Sequence, residues 1–105
     1  MFSGGDYEEV ARWLRNFVRS HARRENLRAE AVVEASGPRE GRSYGLRVRV
    51  AERLAPPSGE RPLELDYAEV AAKRGSMAWC QELAGRVRAL VRSLGEAGRP
   101  SRRSA

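Results

Sequence analysis

Tyr44-Gly45-Leu46-Arg47-Val48-Arg49-Val50 is the stretch that decides how this chain folds. Tyr44, Leu46, Val48 and Val50 point one way, and Arg47 and Arg49 point the other. That period of two marks a strand with one face buried and one face in water. Upstream, Ser36-Gly37-Pro38 and Gly41 supply the chemistry of a wide hairpin loop. Before that loop, Leu27 to Ala35 alternates again and predicts an earlier strand, although its three alanines would equally extend a helix. Downstream, residues 55–62 are rich in proline and read as a loop. Leu63, Leu65 and Tyr67 then alternate with Glu64 and Asp66 in a third strand. Residues 68–74 read either as more strand or as a short helix begun by Asp66 and closed by Gly75.

Amphipathic segments flank the strands. Asp6, with Glu9 three residues later, forms a capping box for a first helix that ends near Asn26. Its apolar side carries Tyr7, Val10, Trp13, Leu14, Phe17, Val18 and His21. Ser76 opens a last helix in which Cys80, Leu83, Val87, Leu90 and Leu94 recur at helical spacing, with Gly95 and Gly98 ending it. The expected fold is therefore α+β, ordered αβββα: a three-stranded antiparallel meander with two helices packed on its one apolar face. Residues 1–98 form the domain, and 99–105 a disordered basic tail.

The chain has 105 residues and a net charge of +6. That length fits one domain. Leu, Val and Phe together number 20 and Ile is absent, so the core is thin and a partner that buries more surface is expected. No apolar run reaches the roughly 18 residues of a membrane span. The first residues lack the basic start and apolar stretch of a signal peptide. A cytoplasmic location is the resulting expectation. The charge excess does not mark a nucleic-acid protein by itself. Arg99, Arg102 and Arg103 supply half of it, and a ratio of 19 Arg to one Lys matches the coding bias of a GC-rich genome.

The order of elements resembles the double-stranded RNA-binding domain, with Val33 and Glu34 followed by Ser36-Gly37-Pro38 and then Tyr44, Val48 and Val50. The resemblance implies a shared architecture. The RNA contacts of that family do not carry over. Glu40 stands where the family has a histidine, and Met77, Ala78 and Gln81 replace the lysines that open its last helix.

Four arginines of the first helix, Arg12, Arg15, Arg19 and Arg23, fall within an arc of about 80° and are candidates for binding an anionic partner or nucleic acid. Trp13, Phe17 and Trp79 are large for so thin a core and are candidate interface residues. On the outward sheet face, Glu30 and Glu34, Arg47 and Arg49, and Glu64 and Asp66 fall on successive strands, so the strand arginines are expected to pair within the chain. His21 and Cys80 on apolar helix faces read as core residues ahead of a nucleophile pair. No spacing of ligands points to a metal, and nothing points to a cofactor or a small-molecule substrate. The reading is a small non-catalytic protein-interaction or structural module that self-associates. The alternative is nucleic-acid binding by the arginine row and the basic tail.

Overall fold

Pairing along Ser43–Val50 organises the sheet. The computed structural model describes residues 4–98, in the order α1 (Gly4–Glu25), β1 (Glu30–Glu34), a 3-10 turn (Gly37–Arg39), β2 (Ser43–Val50), β3 (Arg53–Ala55), β4 (Leu63–Asp66), α2 (Tyr67–Lys73) and α3 (Met77–Gly98). β1 runs antiparallel to β2 with Glu30 opposite Arg49 and Val33 opposite Leu46. β3 takes Val48–Val50, and β4 takes Ser43–Leu46. Gly45 and Leu46 pair with both β1 and β4, so β4 lies beside β3 on the edge of β2 away from β1. The expected meander is present, with its third position filled by two short strands. Pro56 and Pro57, which have no N–H to give a ladder, stand at the break. Arg53–Ala55 is too short to show alternation, and the sequence reading passed over it.

The helices bury the inner face. Tyr7, Val10, Leu14 and Val18 of α1 meet Tyr44, Leu46 and Val48 of β2, and Leu83, Val87, Val91 and Leu94 of α3 complete the same core. Each such side chain contributes about 1.5–3 kcal/mol, against about 0.2–1 kcal/mol for a cross-strand pair on the outer face. Inner-face burial therefore supplies the stability, and the outer face sets register. The Tyr7 hydroxyl lies 2.6 Å from the Ser43 carbonyl, 3.0 Å from that of Arg39 and 3.1 Å from that of Ala35. Its single hydrogen serves one of them at a time, with Ser43 nearest. Tyr44 donates its hydroxyl to the Tyr7 carbonyl at 2.9 Å, and the two rings stack 4.7 Å apart. Burial raises both phenol pKa values above the ordinary range.

Element ends differ from expectation in ways with local causes. α1 begins at Gly4, so Asp6 sits within the first turn, where its charge complements the helix dipole. The backbone from Asn26 to Ala29 is a turn: the Asn26 side chain accepts the Arg28 N–H at 2.8 Å, and its carbonyl accepts the Ala29 N–H at 2.9 Å. Leu27 is consequently exposed, at 84%, and alternation becomes strand only from Glu30. Asp66 accepts the Glu69 N–H at 3.3 Å and caps α2, which settles residues 67–73 as helix. α3 passes through Gly95 and runs to Gly98. The tail at 99–105 lies outside the described residues. Among those described, no helix is long and apolar enough to cross a membrane.

Candidate functional site

The outward sheet face satisfies itself. Arg49 pairs with Glu30 directly across the β1–β2 ladder, which holds the Glu30 carboxyl below its usual range. Arg47 donates to Glu34 at 2.8 Å and also to the carbonyls of Pro56, Pro57 and Glu60 at 2.8, 2.6 and 2.9 Å. It is 7% exposed, and its guanidinium fastens the β3–β4 loop to the sheet. Arg39 lies over Gly45 and reaches Glu64. A Cβ at Gly45 would stand 2.8 Å from the Arg39 Nε and from the Pro62 ring. The Arg39 contact was not expected from sequence, although a glycine inside a strong strand is a signal that something approaches closely. Glu64 thus goes to Arg39 and Asp66 to the α2 cap, and Arg47 and Arg49 draw their carboxylates from β1.

Three flanks of α1 have different fates. The core flank is buried. Arg12, Arg15, Arg19 and Arg23 are all exposed on a second. Arg19 donates to the Asn16 side chain at 2.9 Å, and the Arg23 Nε donates to the Ala29 carbonyl at 3.1 Å. Arg12 and Arg15 have no side-chain partner among the described residues. The third flank carries Trp13, Phe17 and His21 in a half-buried row, with ring centroids 5.0 Å and 4.5 Å apart. Glu9 lies exposed before this row and Arg24 exposed after it.

Between α1 and α3 runs a groove of about 470 Å³ lined by His21, Arg24, Met77, Cys80, Ala84 and Arg88. The helices run in the same direction, since Glu25 beyond the groove pairs with Arg92 at 3.0 Å and Arg88 at 4.0 Å. The His21 Nδ1 is buried with no hydrogen-bond partner among the described residues, and burial with the nearby Arg24 and Arg88 cations lowers its pKa from 6.5. Cys80 is half-buried and donates its thiol to the Arg74 carbonyl at 3.4 Å. The fold therefore brings His21 and Cys80 to one groove, but no hydrogen bond joins them among the described residues.

Trp79 goes elsewhere. At 100° per residue it lies about 160° round α3 from Met77 and about 100° from Cys80. Its indole N–H donates to Glu69 of α2 at 3.2 Å. The three aromatics singled out in the sequence thus divide, Trp13 with Phe17 on α1 and Trp79 at the α2–α3 corner. Met77, Ala78 and Gln81 at the start of α3 are exposed and bring no cation. Among the described residues no cluster of three or more His, Cys, Asp or Glu could hold a metal. No family model matches the chain, and no curated protein or solved structure is significantly similar to it.

Proposed function

We propose that this chain is a small non-catalytic protein-interaction module that self-associates, two copies packing antiparallel along the third flank of α1. The supporting observation is the stacked, half-exposed pair Trp13–Phe17 set between Glu9 and Arg24. At 100° per residue, Glu9, Trp13, Phe17, Ser20 and Arg24 lie within an arc of about 80°. A two-fold axis beside Asn16 and Phe17 sets Glu9 of one copy against Arg24 of the other. It also sets Trp13 against the small Ser20. Such a surface is self-complementary, as a two-fold dimer requires. Aromatics at the centre and charges at the rim match the anatomy of interfaces that bind tightly. The thin core adds a thermodynamic reason for a partner.

Nucleic-acid binding draws support from Arg12 and Arg15, which have no side-chain partner among the described residues. Against it stand the self-paired sheet arginines and the uncharged start of α3.

Sedimentation velocity over the micromolar range tests self-association. The expected result is a concentration-dependent dimer. Glu9→Arg and Arg24→Glu should each weaken it roughly tenfold, and the double exchange should restore it, because the charges then match again. A monomer at every concentration, or a double exchange no better than its singles, overturns the reading.

A further inference from the structure

β1 has β2 as its only strand neighbour among the described residues, so its other edge is open. α1 packs over β1 while α3 packs over β2 and β3. Only the C-terminal end of the Trp13–Phe17 flank, at His21 and Arg24, faces α3, which leaves the arginine flank on the side of the open edge. The Arg23 bond to the Ala29 carbonyl shows the same placement directly. α1 also runs along β1 from end to end, with the Tyr7 hydroxyl at the Ala35 carbonyl and Arg23 at the Ala29 carbonyl. Between these contacts the helix rises about 24 Å and the strand about 20 Å, so the two axes are nearly aligned. Arg12, Arg15, Arg19 and Arg23 are therefore strung along the length of the β1 edge.

We infer that this edge, roofed by the arginine row, binds an extended acidic peptide by strand addition. An edge strand turns alternate N–H and C=O groups outward, ready for one more strand. On an added strand, every second side chain projects towards α1, at a repeat of about 6.7 Å. Arg15, Arg19 and Arg23 recur at about 6 Å along the helix. Carboxylates at alternate positions thus meet one guanidinium each. The acids of β1 do not oppose this, because Glu30 and Glu34 face the other side of the sheet and are held by Arg49 and Arg47. A second copy of the chain fits badly. Pairing two β1 edges would set one arginine row beside another, and like charges so placed repel. This surface is separate from the Trp13–Phe17 flank, and the inference does not depend on self-association.

Fluorescence anisotropy with a labelled Val-Glu-Val-Glu-Val-Glu-Val peptide tests it, using the full chain and, in parallel, the Glu9→Arg protein so that any dimer is weakened. Saturable binding is expected with both. A peptide of equal charge with proline at its two inner valines should bind at least tenfold more weakly, since proline cannot supply a ladder hydrogen bond and its ring holds φ away from strand values. Arg15→Gln with Arg19→Gln should also lose tenfold or more, with an unchanged circular dichroism spectrum. Equal binding of the proline peptide would reduce the contact to bulk electrostatics and overturn strand addition. Tighter binding of duplex RNA or DNA than of the peptide, lost in the same double variant, would overturn the peptide assignment in favour of nucleic acid.

Discussion

At the scale of single residues, Arg47 carries more of the structure than any other charged group. Its guanidinium reaches one carboxylate and three loop carbonyls. Removing it leaves Glu34 and those carbonyls short of donors in a largely dry site, which costs far more than losing an exposed ion pair. Arg47→Met should lower stability by roughly 3 kcal/mol, while Arg49→Met, which breaks only the solvent-exposed Glu30 pair, should lower it far less. Urea midpoints of the two variants check the contrast. Equal losses would mean that the loop is held by something other than Arg47. Alternation showed that Arg47 faces outward with acids for neighbours. It could not show that two prolines and a glutamate nine or more residues downstream would turn their carbonyls towards it, because that depends on the loop path.

The element most under local tension is the β2–β3 hairpin. Val50 pairs with Arg53, so Ala51 and Glu52 form a two-residue turn, and Ala51 sits at φ 59°. An L-residue there costs about 1–2 kcal/mol in contact between its Cβ and the backbone, which glycine avoids. Glycine loses more entropy on folding, so the net gain for Ala51→Gly should be about 0.5–1 kcal/mol. Thermal denaturation should show a raised midpoint, and a lowered one would mean that the turn conformation is wrong. Sequence reading missed this turn because Ala51-Glu52 lacks the Asn-Gly or Asp-Gly signal. The short β3 behind it therefore escaped notice as well. α2, by contrast, was half-legible through the pairing of Asp66 with Glu69.

Across the whole molecule, the seam between α1 and α3 couples stability to pH. His21 lies in that seam facing Arg24 and Arg88, with its pKa lowered from 6.5 chiefly by burial. The unfolded chain therefore binds more protons than the folded one just below pH 6.5, and linkage makes stability fall as pH drops through that window. Glu30, whose pKa is lowered from 4.5, adds a loss only at more acid pH, so the two effects separate. Unfolding midpoints at about pH 7.5 and about pH 5.5 should differ for the native chain and converge for His21→Leu. A slope that survives in His21→Leu would place the titrating group elsewhere.

Sequence alone determined what depends on periodicity: two amphipathic helices, a central strand with arginines outward, its neighbours in antiparallel order, and a sheet face whose charges cancel. Those properties follow from which side of an element each residue occupies, and this side repeats every 3.6 or every two residues. Tertiary structure alone decided which residues from distant segments meet. It put Arg39 over Gly45, gave Trp79 to Glu69, added the short strand β3 ahead of Pro56 and Pro57, and laid the arginine row along the open edge of β1. Such meetings depend on how helices and loops cross the sheet, and packing of the whole core sets those paths, while local spacing does not.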